Sequence, residues 1–122
     1  MYTSATLSLA SLEVLVHLGS EDWPIDLCAI PAEIPASLAI HAVTRADLPK
    51  RWRNFPSPAS LRKIGDAWLE ASETAVLAVP SAVIPVEKNY LLNPSHPDMK
   101  RSEIGAPQRF QFDLRLRSRG IS

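Results

Sequence analysis

Eleven prolines in 122 residues set the terms on which this chain folds. Each proline fixes φ and removes a backbone donor, so regular elements end where prolines stand. Pro31 and Pro35 break one stretch, Pro80 stops another and Pro94 closes a third. The expectation is a modest sheet surrounded by many fixed loops. The length fits one domain spanning residues 1–122. Hydrophobic residues make up 46% and charged residues 21%, enough for a core and against wholesale disorder.

Between the prolines the hydrophobic periods assign the elements. Residues 7–18 read as a helix capped by Ser4 or Thr6 and ended by Gly19. It is apolar nearly all round, which predicts burial. Residues 25–30 and 38–43 alternate and read as short strands, and residues 46–57 as a loop. Leu61, Ile64, Trp68 and Leu69 fall on one face of a helix over 58–71, with Ser57 as cap and Pro58 at its first position. Ala75–Val79 is a wholly apolar run suited to a central strand, and Asn89–Asn93 reads as the next one. Residues 95–100 read as a turn or a single helical turn. From Arg109 to Arg117 the strict period of two predicts a half-buried strand. The pattern is that of an α/β (α+β) domain with a mixed, largely antiparallel sheet and flanking helices.

Charge and cysteine content narrow the classes of function. Thirteen Lys and Arg balance thirteen Asp and Glu, and neutrality argues against direct nucleic-acid binding. Residues 1–44 hold five acids and no Lys or Arg (net −5), while residues 45–122 hold thirteen bases and eight acids (net +5). A basic half can face phosphates, although a solvated surface is the simpler account. Cys28 stands alone, so no internal disulfide forms; it lies in an apolar stretch and is expected to pack. No apolar run approaches the roughly 20 residues that span a bilayer. The N-terminus lacks a signal-peptide pattern. A cytoplasmic protein without a membrane partner is expected.

Glu13 is the chemical anomaly, a lone carboxylate inside an apolar segment, where a charge is costly unless a cleft or partner receives it. His17 lies four residues on, on the same helix face, and is a candidate to orient it. Ser81 follows the apolar strand, where ligand-binding groups project in α/β folds; a turn serine bonding its own backbone is the plainer reading. No glycine-flanked nucleophile elbow, phosphate loop or dinucleotide fingerprint is present. His41 and His96 give no metal-ligand spacing, so no metal is expected. Asn89, Asn93 and His96 flank an Asn-Pro turn, and Asn93 reads as turn chemistry.

Taken together, several blocks resemble the RES domain, a bacterial toxin family of toxin–antitoxin pairs. They are Tyr2-Thr3-Ser4 with Leu12-Glu13, Leu48-Pro49 with Trp52-Arg53, Ile64 to Trp68, Val79 to Val83 with Glu87, Asn89 to Pro94 with His96-Pro97, and Phe112-Asp113. The family is named for an Arg, a Glu and a Ser. Glu13 falls on the Glu and Ser81 on the Ser. The Arg lies upstream of the position matched by Tyr2, and this chain begins at Met1, so a domain without the Arg-bearing segment is expected.

The resemblance implies an ADP-ribosyltransferase-like fold and a type II toxin that destroys NAD. NAD is then the substrate, and no cofactor is expected. The bond cleaved joins nicotinamide to ribose, with phosphate or water as acceptor. Implied catalytic residues are Glu13, Tyr2 and Ser81, with Tyr2, Ser81 and Asn89 as binding residues. Glu13 is expected to stabilise a cationic ribose, Tyr2 to stack on nicotinamide or bond the ribose, and Ser81 to bond a phosphate or the carboxamide. A helix-turn-helix antitoxin is the implied protein partner, with homo-oligomers as a further option. The competing expectation is an inactive shortened fragment that keeps only antitoxin binding or a structural role.

Overall fold

The computed structural model describes residues 1–18 and 23–117. Gly19, read above as the end of the first helix, lies outside them. The elements run β1 (Tyr2–Ser4), α1 (Leu7–Leu15), β2 (Leu27–Ala29), β3 (Ala32–Glu33), β4 (Ile40–Ala42), α2 (Ala59–Ala71), β5 (Val76–Pro80), β6 (Lys88–Leu92), β7 (Glu103–Ile104) and β8 (Gln108–Phe110). Short 3-10 turns occupy Arg45–Asp47, Pro97–Arg101 and Leu114–Leu116. The main sheet has the order β1-β6-β5-β4. Its β1–β6 and β6–β5 pairs are antiparallel and its β5–β4 pair is parallel. The pairs β2–β8 and β3–β7 form two small ribbons. This is the expected α+β domain with a mixed, mostly antiparallel sheet.

Strand alternation sorts the core into two layers. Val76 and Leu92 pack with Leu38 and Ala75 on one face of the sheet. Leu77, Val79 and Leu91 pack on the other against Trp68 and Ile64 of α2 and against Val43. The sequence stripe Leu61–Ile64–Trp68 is therefore the seam between α2 and the sheet. Trp68 is buried, and its indole Nε1 donates to Thr74 Oγ1 at 2.9 Å, which satisfies the one polar atom it carries inside. Thr74 Oγ1 in turn donates to the Val76 carbonyl at 3.0 Å, tying the helix exit to the start of β5.

Five local features differ from, or add to, the expectations. The N-terminal residues form an edge strand, tied down by the Met1 amino group donating to the Leu92 carbonyl at 2.8 Å. Helix α1 begins as expected, with Thr6 Oγ1 accepting from the Leu9 amide at 3.1 Å, but only Leu9 is buried. Leu7, Leu12, Val14 and Val16 stay exposed because α1 meets the sheet at its edge strand β1 and is not enclosed between layers. Helix α2 starts after Pro58, and neither Pro58 nor Ser57 supplies a side-chain cap. The alternating run after Phe110 is not a strand. Leu27 of β2 pairs with Phe110, and pairing stops there. Asp113 Oδ1 then accepts from the Arg115 amide at 2.9 Å, and its carboxylate pairs with the Arg115 guanidinium at 2.8 Å. Those short-range bonds favour a turn over an unpaired strand. Cys28 also departs from expectation: it is exposed on β2.

Candidate active site

Register places three polar side chains on one face of the sheet. Tyr2 pairs with Leu91 and Ser4 with Asn89 across β1–β6, while Asn89 pairs with Val79 across β6–β5. Because side chains alternate, Tyr2, Ser4, Asn89 and Leu91 share the face that carries Leu77 and Val79. Ser81 follows directly at the end of β5. Its backbone amide donates to the Glu87 carbonyl at 2.9 Å, closing the turn that leads into β6.

Glu13 comes down onto this set from α1. Its Oε1 accepts from Ser81 Oγ at 2.8 Å and from Asn89 Nδ2 at 2.8 Å. Asn89 Nδ2 also donates to the Tyr2 hydroxyl, and Asn89 Oδ1 accepts from Ser4 Oγ at 2.9 Å. The bond to Glu13 fixes the amide orientation, since the flipped amide would set an oxygen against a carboxylate. The Ser81 hydroxyl also accepts from the Val83 and Ile84 amides, each at 3.1 Å. Both readings of Ser81 therefore hold at once: it closes a turn with its backbone neighbours, and it holds Glu13.

Ser81 and Asn89 are fully buried. The hydroxyl of Ser81 uses both acceptor positions and its donor, and both amide protons of Asn89 are engaged. These two residues consequently sit behind Glu13 and act on it. Glu13 Oε2 accepts no hydrogen bond among the described residues, and no described buried side-chain atom lacks a partner. Oε2 therefore opens into the cleft of about 990 Å³ that Glu13 lines. A carboxylate gripped at one oxygen and open at the other is oriented without being neutralised.

The Tyr2 ring is 60% exposed, but its hydroxyl end turns in against Asn89. Desolvation of that end and, less strongly, the nearby Glu13 charge push the phenol up to about 12 from its ordinary 10.0, with the Asn89 bond opposing the rise. The phenol is therefore neutral at neutral pH. It accepts from Asn89, and its own proton is left to donate toward the cleft, which Tyr2 also lines.

His17 does not orient Glu13. It lines the cleft and packs its ring against Phe55, with centroids 5.4 Å apart at a tilt of 49°. Asn93 is a turn residue, its Oδ1 accepting from the Ser95 amide at 3.0 Å. His96 caps the 3-10 turn that follows it, its Nδ1 accepting from the Asp98 amide at 3.0 Å. The segment 46–57 was the part of the site least visible beforehand: it brings Trp52, Arg53 and Phe55 to the cleft wall. An aromatic and cationic cluster in a proline-bounded loop is the signal that marks it. Among the described residues no group of three His, Cys, Asp or Glu side chains is placed to hold a metal ion. No helix there is long and apolar enough to cross a membrane.

Residues 1–113 match the RES domain, so the match takes in the whole constellation from Tyr2 to Asn89. This chain belongs to the RES domain family. Relatives of the domain carry names that agree. The Prs ADP-ribosylating toxin of Sphingobium sp. is 32% identical over 118 residues, covering 95% of this chain and 73% of that protein. Toxin Res of Yersinia enterocolitica is 36% identical, covering 96% of this chain and 77% of its own length. Toxin Res of Pseudomonas putida is 34% identical, with 95% and 78% covered. Within this RES domain Glu13 and Ser81 are hydrogen-bonded to each other.

Proposed function

We propose that this RES domain is the toxin of a type II toxin–antitoxin pair and depletes cytoplasmic NAD by breaking the nicotinamide–ribose bond. The observation that carries the reading is Glu13: one oxygen is held by Ser81 and Asn89, and the other is open to a cleft that also receives the Tyr2 hydroxyl. In the reaction the bond from ribose C1′ to the pyridinium nitrogen breaks. Its electron pair goes to the nitrogen, and nicotinamide leaves neutral, so no strong general acid is needed. The ribose is left with oxocarbenium character, the difficult species in glycosidic cleavage. Glu13 Oε2 stabilises that charge, and the stabilisation needs no reorganisation because Oε1 is already fixed. The neutral phenol of Tyr2 donates to the ribose or stacks on the departing ring. Ser81 and Asn89 act as positioning residues.

The cation is trapped by an oxygen acceptor that gives up a proton. Water yields ADP-ribose, and phosphate yields the 1-phosphate of ADP-ribose. The Sphingobium relative is named an ADP-ribosylating toxin, which adds transfer of ADP-ribose to another molecule as a third outcome. A helix-turn-helix antitoxin would silence the toxin by covering the cleft. The test is purified chain with NAD in buffers with and without phosphate, with nicotinamide and each ADP-ribose product quantified. Release of nicotinamide is expected, and its products identify the acceptor. No release at high enzyme concentration would refute the reading and leave a fragment that keeps only antitoxin binding.

A further inference from the structure

The wall of the cleft beside the Ser81 turn carries a cation that the chemistry at Glu13 does not use. Arg53 Nε donates to the Ala82 carbonyl at 2.8 Å. Ala82 follows Ser81, which holds Glu13, so this guanidinium is fixed relative to the reacting end of the cleft. Its two terminal nitrogens bond no protein group among the described residues. Arg53 and Glu13 line the same cleft without forming an ion pair. The other lining residues with an ionisable group are Arg62, Asp66, His17 and Met1, whose amino group donates to the Leu92 carbonyl. Arg62 makes no hydrogen bond to a described residue, so among the described residues Arg53 is the side-chain cation of the cleft with a fixed position.

Size and aromatic content point the same way. At about 990 Å³ the cleft is at the top of the range for small-molecule sites, roughly 300–1,000 Å³. That is more room than a nucleoside needs. Phe55 is 81% exposed and leans on His17 at the cleft, an unusual expenditure of aromatic surface unless a planar group stacks there. A tethered guanidinium with a free two-nitrogen edge suits a phosphate.

We propose that Arg53 clamps the pyrophosphate, and Phe55 with His17 stacks the adenine, of an adenylate half-site that makes the cleft select the dinucleotide. The assignment rests on the NAD reading above but concerns a separate part of the cleft. The test uses ADP-ribose as the probe, titrated calorimetrically into wild type, Arg53→Gln, Arg53→Lys and Phe55→Ala, alongside NAD kinetics. A lost charge-assisted bond is worth about 1.5–3 kcal/mol, or roughly 10–100-fold. Arg53→Gln should weaken ADP-ribose by at least about tenfold and raise KM for NAD far more than it lowers kcat; Arg53→Lys should recover part of the loss. A purely structural tether to the Ser81 turn would instead lower kcat and spare ADP-ribose affinity, which overturns the proposal. Phe55→Ala alters only exposed surface and should weaken ADP-ribose independently of how the Arg53 variants fold. Unchanged affinity in both Arg53→Gln and Phe55→Ala, in a chain that still releases nicotinamide, overturns the half-site alone. Wild type that binds ADP-ribose without cleaving NAD removes the parent reading and leaves the half-site standing.

Discussion

Asn89→Asp replaces one nitrogen by an oxygen and changes almost no volume, so its cost is electrostatic. In the native site the Asn89 amide donates to Glu13 Oε1 at 2.8 Å. A carboxylate there would face another at that distance in a position with no exposure. At an effective dielectric near 20, two unit charges 2.8 Å apart repel by about 6 kcal/mol. Taking up one proton costs about 1.4 kcal/mol per pH unit above an ordinary carboxyl pKa near 4, hence about 4 kcal/mol at pH 7. The second route is cheaper, so the pair shares a proton and regains one hydrogen bond. The shared proton raises a carboxyl pKa in the folded state above its unfolded value. The variant's stability is therefore fully present below about pH 4 and lost as pH rises. Urea unfolding followed by tryptophan fluorescence should show the gap to wild type widening by about 2.7 kcal/mol between about pH 5 and about pH 7. A gap that does not depend on pH would refute the contact between position 89 and Glu13.

Three further outcomes follow from other parts of the molecule. The Tyr2 phenol, raised to about 12, favours the folded state below pH 10 and loses that contribution as pH climbs through 12; the stability difference between wild type and Tyr2→Phe should hold to about pH 10 and shrink above it, read by chemical denaturation at each pH. Ser72 ends α2 in the left-handed region at φ 52°, so Ser72→Gly should raise stability by about 0.5–1 kcal/mol in thermal unfolding, and a loss would contradict the cap. A Cβ on Gly105 would meet Pro31 Cγ at 2.7 Å, so Gly105→Ala should cost about 1–3 kcal/mol where β3 and β7 join, and a neutral result would show that the junction can open.

The α2 seam and the central strand were legible because Leu61, Ile64 and Trp68 keep one period and Ala75–Val79 is apolar without interruption. Glu13 was legible because a charge in a greasy helix needs a reason. Its partners were not: nothing local says that Ser81, Asn89 and Tyr2 meet, since strand register across 68 to 87 residues of chain decides it. The His17 reading failed because helix spacing permits a pair but does not choose between it and a ring across the cleft. The alternation after Phe110 misled because a strand needs a partner, and β2 offers none beyond Leu27. Strand β1 was invisible because three residues at a chain end carry no period; the β6 edge that orders them lies at the other end of the sequence.

The proposed cleavage of NAD depends on the open oxygen of Glu13. Nicotinamide release from NAD by wild type and by Glu13→Gln, at matched concentration and with matched thermal unfolding, tests it most directly. Glutamine keeps the shape but removes the charge, and the rate is expected to fall by about 100-fold or more. Equal rates in the two proteins would contradict the claim that this carboxylate carries the chemistry.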